Sequence, residues 1–240
     1  MANFKNIFIL TGAGISAESG LATFRSSNGL WNNHKVEDVA TIEGFIKNPS
    51  YVHSFYNELK KELRQAKPNA AHFAITKLQQ EYPANINIVT QNVDTLHEKA
   101  GNNNVFHIHG QIDQAVCLNC GQIIEGYSEI TTSTPCPLCK QTNIMKPNIV
   151  FFGENLLCMD EVETLLRKCD LFISVGTSGV VFPAASFVQT AKYYGAATYE
   201  FNLETTSNNF HFDHHIIGKA GTTLPEFVNY LIAEYKKINS

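Results

Sequence analysis

Four cysteines carry the most specific chemistry in the sequence. Cys117-x-x-Cys120 and Cys136-x-x-Cys139 are separated by 15 residues. Each Cys-x-x-Cys lets two thiolates from one tight turn reach the same ion, and a second turn completes a tetrahedron. Gly121 and Pro137 suit such turns. Redox dithiols or disulfides are the competing reading. The spacing favours zinc, and four ligands leave no open position, so a structural ion is expected. Cys158 and Cys169 have no partner motif and read as buried thiols.

A second chemical signal lies near the start. The apolar run Ile7-Phe8-Ile9-Leu10 feeds into Gly12-Ala13-Gly14-x-x-Ala17. That order reads as a buried strand, a tight turn and a helix start, where close backbone and helix amides favour a pyrophosphate. A plain strand–helix turn without ligand gives the same local pattern. The acidic residue that a dehydrogenase needs about 20 positions on, at the end of a second strand, has no counterpart here, because no strand pattern precedes Asp38. Hydride transfer is therefore disfavoured, and a dinucleotide ligand is not.

His109 follows the run Val105 to Ile108, where α/β folds place ligands, and a histidine titrates in the range of a general base. His107, two residues earlier, leaves the pair ambiguous. Further clusters follow other apolar runs: Thr90-Gln91-Asn92-Val93-Asp94, Gly176-Thr177-Ser178, and Asn202-Leu203-Glu204. Turn chemistry explains any one of them. Together they point to a crevice along one sheet edge. His72 and His97 read as structural, and His211, His214 and His215 as a solvated polar loop rather than a metal site.

The elements that must position these groups are legible as alternation. Short runs at 86–89, 105–108, 149–152, 171–175 and 196–203 read as strands buried on both faces. Helical patterns lie at 69–82, at 160–168 with Asp160 as cap, at 183–194, and at 224–236. Pro183 and Pro225 suit first-turn positions. The expected fold is α/β with a doubly wound parallel sheet. Residues 20–68 break the alternation and form either a functional loop or a helical insert, and 113–147 form an inserted zinc module.

The chain has 240 residues, 44% hydrophobic, and a net charge of −4, which argues against bulk binding to nucleic acid. No basic segment followed by a long apolar run opens it, and no run is long enough for a membrane helix. A cytoplasmic protein without membrane contact is expected.

Taken together, the motifs resemble the sirtuins, NAD-dependent protein lysine deacylases. Those that carry the resemblance are Gly12 to Gly20, Thr23-Phe24-Arg25, Gly29-Leu30-Trp31, Thr90 to Asp94, His107 to Gly110, both Cys pairs, Lys146 to Glu154, Gly176 to Ser178, and Asn202 to Glu204. They run in family order across nearly the whole chain and are most similar to the bacterial and mitochondrial class III. The resemblance implies a Rossmann-like core over about 1–30, 69–112 and 148–240, a helical and cofactor-loop insert over about 31–68, and a zinc-ribbon module over about 113–147. NAD and acyl-lysine would meet between them.

By motif, Gly12, Ala13, Gly14 and Ala17 belong to the pyrophosphate turn, and Thr23, Phe24, Arg25 and Trp31 to the cofactor loop. Gln91, Asn92 and Asp94 serve the ribose and carboxamide. Gly176, Thr177, Ser178, Asn202, Leu203 and Glu204 lie on the adenosine and phosphate side, and Ala220 is a late contact. His109 is the implied general base, with Asn92 beside it in the catalytic set. The substrate's amide oxygen would replace nicotinamide on the ribose, and His109 would help deprotonate a ribose hydroxyl, giving O-acyl-ADP-ribose. ADP-ribosyl transfer or NAD hydrolysis is a second reading, and a non-catalytic NAD-sensing or zinc-ribbon interaction module a third.

One motif departs from the class III pattern. Members that prefer succinyl- or malonyl-lysine carry Tyr-x-x-Arg, whereas this sequence keeps Tyr56 and has Leu59 in place of the Arg. Losing a permanently charged carboxylate clamp favours acetyl or other neutral acyl groups. Lys60, one turn after Tyr56, is the remaining candidate for a compensating charge.

Overall fold

Strand β1 (Asn6–Thr11) is central, and its Ile7-Phe8-Ile9-Leu10 run is buried on both faces, as the interior of a parallel sheet requires. It pairs in parallel with β4 (Asn85–Thr90) on one side and β9 (Leu171–Val175) on the other. β5 (Val105–His107) lies beyond β4, and β10 (Ala197–Asn202) and β11 (His214–Ile217) lie beyond β9. The order is β11-β10-β9-β1-β4-β5, with every pairing parallel. The computed structural model describes residues 3–23, 30–31 and 34–238, with Leu30 and Trp31 as backbone only.

The period-two alternation of β1 divides the core. Ile7 and Ile9 face α4 (Ala70–Glu81) and α8 (Ala220–Ile238), whereas Phe8 and Leu10 face α6 (Met159–Lys168) and α7 (Phe187–Tyr193). Each fully buried aliphatic side chain contributes roughly 1.5–3 kcal/mol, so the sheet edge rests on a stiff base. The start expected for α4 is present. The Asn69 side chain caps the helix while the His72 ring accepts from the Asn69 N–H, a reciprocal capping box.

A smaller unit stands beside the sheet. A two-strand ribbon, β2 (Leu30–Trp31) with β3 (His34–Lys35), leads into α1 (Val36–Val39), α2 (Ile42–Lys47) and α3 (Pro49–Gln65). Residues 36–65 are thus mainly helical. Thr41 caps α2, and Asn48 caps α3 ahead of Pro49. After β4 comes the one-turn α5 (Leu96–Lys99). An antiparallel sheet follows, with β6 (Gly110–Cys117) between β7 (Ile123–Glu125) and β8 (Met145–Ile149). The module's sheet therefore runs from Gly110 to Ile149, wider than 113–147.

Several expectations change. The run 149–152 is not a strand of the parallel sheet. Its first residue closes β8, antiparallel to β6, and Phe152 is exposed, making one isolated bridge to Thr41. Apolar runs alone do not tell a buried parallel strand from a segment feeding another core. Asp160 is not the cap of α6. That place is taken by Cys158 in the left-handed region, and Asp160 sits in the first turn. Residues 184–186 form a 3₁₀ turn ahead of α7, and α8 begins at Ala220, which leaves Pro225 inside it. Cys169 is buried as expected, but Cys158 is exposed. His214 and His215 lie on the edge strand β11 rather than in a loop.

Candidate active site

The strand order reverses between β1 and β9, the place where an open α/β sheet leaves a crevice at its carboxyl edge. Gly12 and Gly176 leave these two strands side by side. The Gly12 N–H donates to Val175 O at 3.0 Å and the Gly14 N–H to Gly176 O at 2.9 Å. A Cβ on Gly14 would lie 2.6 Å from the Gly176 Cα, and Gly176 has φ +63°. Glycine is thus required on both turns for the backbones to meet. Residues Ala13–Ser19 continue as a 3₁₀ helix rather than an α-helix.

The next turn locks onto the first. Asn92, buried after β4, donates from Nδ2 to Gly12 O at 3.1 Å and to Ser16 Oγ at 3.3 Å. Ser16 Oγ donates to Asp94 Oδ2 at 3.0 Å, and the other Asp94 oxygen accepts from the Leu96 N–H. Beneath them, the Thr11 hydroxyl donates to Thr90 Oγ1 and faces His97 Nε2 at 3.0 Å, and Thr90 Oγ1 also accepts from the Asn92 N–H. Asn69 adds a brace from α4, donating to Ile15 O and Ser19 Oγ. On the far side of the crevice, Asn202 Nδ2 donates to Thr177 O at 2.6 Å, and Thr177 and Ser174 share a hydroxyl contact.

His109 lies two residues beyond β5, in the turn before β6. Its Nδ1 faces Gln91 O at 2.9 Å. A carbonyl only accepts, so Nδ1 carries the proton and Nε2 keeps the lone pair of a base. Burial holds the ring below the ordinary imidazole range, against the raising effect of the Gln91 bond. The ring is therefore neutral near pH 7 and ready to accept a proton. His107 is buried and turned elsewhere, toward Asn92 O and Glu98.

The four cysteines converge, with all sulfurs within 4.8 Å of one another. Cys117 and Cys139 lie 3.7 Å apart, and Cys120 and Cys136 3.6 Å. Zinc–sulfur bonds of about 2.3 Å at tetrahedral angles put sulfurs about 3.8 Å apart, so the set fits zinc. The two turns are alike. The Gly121 N–H bonds to Cys117 O, and the Lys140 N–H to Cys136 O; both residues have positive φ, +73° and +64°. Among the described residues this is the only cluster of His, Cys, Asp or Glu that could hold a metal, and His211, His214 and His215 do not form one.

Comparison with known proteins agrees with this geometry. Residues 12–183, most of the chain, match the profile described as the Sir2 family. The chain belongs to the Sir2 family. It is 47% identical over 232 residues to an NAD-dependent protein deacylase of Vibrio parahaemolyticus, covering 96% of each chain. To an NAD-dependent protein deacylase of Leishmania major it is 50% identical over 236 residues, covering 96% of this chain and 97% of that one. Among solved structures, a Sir2 homologue–NAD complex superposes with a TM-score of 0.88 at 36% identity, covering 96% of this chain and 91% of that one. A Sir2 bound to acetylated peptide gives 0.80 at 28% identity, over 97% and 94%.

Set against this sirtuin frame, Gly12, Gly14, Gln91, Asn92, Asp94, Gly176, Thr177, Asn202 and His109 are tied into the strand-end network by the contacts above. Ala13 is half-buried, and Ala17 and Ser178 are exposed in the same turns. Leu203 and Glu204 follow β10 and are exposed. Ala220 opens α8, where the adjoining Gly221 N–H donates to Glu18 of the 3₁₀ turn. Thr23 is exposed. Phe24, Arg25 and the Trp31 side chain lie outside the described residues. Sequence reasoning placed Ser16 and Thr90 inside site motifs without a role of their own and missed Thr11 and Asn69; a lone hydroxyl or amide carries no periodicity or spacing signal.

Tyr56 and Leu59 are buried on α3 beside Phe151. Lys60, the candidate for a compensating charge, has its ammonium engaged toward the zinc module. Its side chain is 1% exposed and points at the zinc module, with Nζ donating to Tyr127 O, 3.4 Å from Asp113 and over the Tyr127 ring. Burial and the Arg64 charge lower it to about 8, against the raising effect of Asp113.

Proposed function

We propose that the chain is an NAD-dependent protein lysine deacylase. The observation that carries the reading is His109, fixed through Nδ1 to the Gln91 carbonyl with Nε2 left as a base, on the same edge as Asn92 and the Gly12–Gly176 turn. NAD supplies a ribose carbon from which nicotinamide leaves, so that the acyl oxygen of a modified lysine takes its place. The glycine turn at 12–14 gives pyrophosphate a close backbone. Gln91, Asn92 and Asp94 offer amide and carboxylate groups to the ribose and carboxamide, and Thr177, Ser178, Asn202 and Glu204 serve the adenosine side. His109 takes a proton from a ribose hydroxyl, a role worth about 10²–10⁴ in rate. The four-cysteine site is closed and structural, so zinc supplies no water to the reaction. The substrates are acyl-lysine proteins, and the unit division follows the sheet, the α1–α3 insert and the zinc module.

Acyl preference follows from α3. Leu59 packs in the apolar cluster with Tyr56, and Lys60 is spent on Asp113 and Tyr127 O, so neither offers a cation beside Tyr56. Acetyl and longer aliphatic acyl groups are preferred over succinyl. The test is a panel of acetyl-, butyryl-, longer aliphatic and succinyl-lysine peptides, with nicotinamide release followed with and without NAD and peptide. Release that ignores the peptide sinks the deacylase reading in favour of NAD hydrolysis. A strong preference for succinyl-lysine sinks the neutral pocket alone.

A further inference from the structure

The sequence left His107 as an ambiguous neighbour of His109, and the function described so far does not use it. Its ring is 5% exposed and has an acceptor at each end: Nδ1 lies 3.1 Å from Asn92 O and Nε2 2.8 Å from Glu98 Oε1. Neither a carbonyl nor a carboxylate donates. Both contacts are satisfied together when the ring carries a proton on each nitrogen and Glu98 is ionised. Burial raises the Glu98 carboxyl, but its hydrogen bond to His107 and that ring's charge outweigh this and hold it below its usual range. Glu98 itself is 41% exposed at the end of the network.

We infer that Glu98 and His107 form a clamp of positioning residues: the carboxylate holds the Nε2 end of the ring, and the ring fixes the Asn92 carbonyl so that Asn92 and His109 keep their working geometry. Two successive carbonyls, Gln91 and Asn92, are gripped by His109 and His107 in turn. The Asn92 N–H is held from the other side by Thr90 Oγ1. Release of the Asn92 carbonyl therefore loosens the peptide whose neighbour sets the His109 tautomer, and with it the Asn92 amide that reaches Gly12 O and Ser16 Oγ. The role rests on the deacylase reading of the same edge.

The test uses Glu98→Ala, Glu98→Gln and His107→Phe in the full chain. The partly exposed Glu98 is replaceable without loss of fold, so the unfolding midpoint of Glu98→Ala stays near the wild type. Misplacement of reacting groups lowers kcat about 10- to 100-fold in Glu98→Ala and His107→Phe, with KM for the acyl-peptide little changed. Glu98→Gln, which can still hydrogen-bond Nε2, restores kcat to within about threefold of wild type. Nitrogen NMR of the wild-type ring shows both His107 nitrogens in hydrogen bonds, and Glu98→Ala releases Nε2 alone. A wild-type kcat in Glu98→Ala overturns the clamp, as does a His107 Nε2 without a hydrogen bond in the wild type, or equal losses in Glu98→Ala and Glu98→Gln. If the wild type itself releases no nicotinamide with any acyl-peptide, the deacylase reading fails, and the ring spectrum still decides the clamp.

Discussion

The parallel-sheet edge and the α3–zinc unit hold their residues by different means. At the sheet edge, position comes from apolar burial below: Ile9, Ile88 and Ile173 stand in register across β1, β4 and β9, and all three are fully buried. In the smaller unit, the apolar face of α3 packs on Ile112, Ile149 and Phe151, and polar cross-links between distant segments add to it. α3 presents His53 to Met145 O at 2.7 Å, Asn57 to both backbone groups of Ile130, Lys60 to Tyr127 O, and Arg64 to Asp113. The module's own apolar cluster is small, centred on Ala115, Ile130 and Met145 with two of the cysteines. A core that small needs a staple, and the staple is the ion. One region is stable through its sheet, and the other through a metal and its contact with one helix.

The largest effect follows from removing that metal. Structural zinc sites contribute on the order of 10 kcal/mol of folding free energy to small domains. Chelation, or Cys136→Ser, is expected to strip amide-exchange protection from β6, β7, β8 and the facing turns of α3 while β1, β4, β9 and β10 stay protected. Simultaneous exposure of the sheet would show a single cooperative unit and end the contrast.

The next effect tests where chemistry sits between the two regions. His109 lies between β5 of the sheet and β6 of the module. His109→Ala is expected to lower turnover about 10²–10⁴-fold, the usual worth of one proton-transfer group, with NAD affinity near wild type. Isothermal titration with NAD beside steady-state kinetics checks this. Near-normal turnover removes His109 from the mechanism, and a large loss of NAD affinity places it in binding instead.

Legibility in the sequence followed the same divide. The strand–Gly-x-Gly turn, the capped α4, the cysteine spacing and His109 were readable because periodicity, capping chemistry and ligand spacing are local. The antiparallel role of Met145–Ile149 was not, since an apolar run does not name its partner. Nor was the fate of Lys60. On a helix it shares a face with Tyr56, yet a lysine stem is long enough to carry its charge to another segment. Asn92 was legible as a polar strand end, but its hold on Gly12 and Ser16 joins residues about 80 positions apart and leaves no trace in spacing.

Acid sharpens the comparison from the sheet side. His72, in the first turn of α4, is fully buried, and burial with the neighbouring His97 lowers it to about 3. The unfolded chain has an ordinary histidine near 6.5, so it binds the proton first as pH falls. The stability tied to the neutral ring is full above about 6.5 and is lost progressively toward 3, on the order of a few kcal/mol. His53 on α3 shifts in the same direction through burial, partly offset by its bond to Met145 O. Exchange of β1 and β4 amides at several pH values separates the two, because His72→Gln is expected to flatten the acid slope of these strands. An unchanged slope in that variant assigns the acid sensitivity of these strands to other buried groups, His97 first, which burial also lowers.

The smallest effect lies in one cross-link of the other region. Asn57 Nδ2 donates to Ile130 O at 2.8 Å, and its Oδ1 accepts from the Ile130 N–H at 3.1 Å, so one amide replaces a strand partner for a fully buried residue. Asn57→Ala leaves a buried donor and acceptor without partners, at a cost of about 2 kcal/mol. Because the contact joins α3 to the module and touches no strand of the parallel sheet, the loss should appear as faster exchange in 123–145 and a weaker hold on zinc in chelator competition. β1 and β9 should exchange as before. Asn57→Asp keeps the acceptor, loses the donor and sets a buried charge against the Ile130 carbonyl, so the loss should be at least as large as in Asn57→Ala. Equal stability of the module in all three proteins would mean that the ion alone holds it, and that α3 is docked by its apolar face rather than by its polar cross-links.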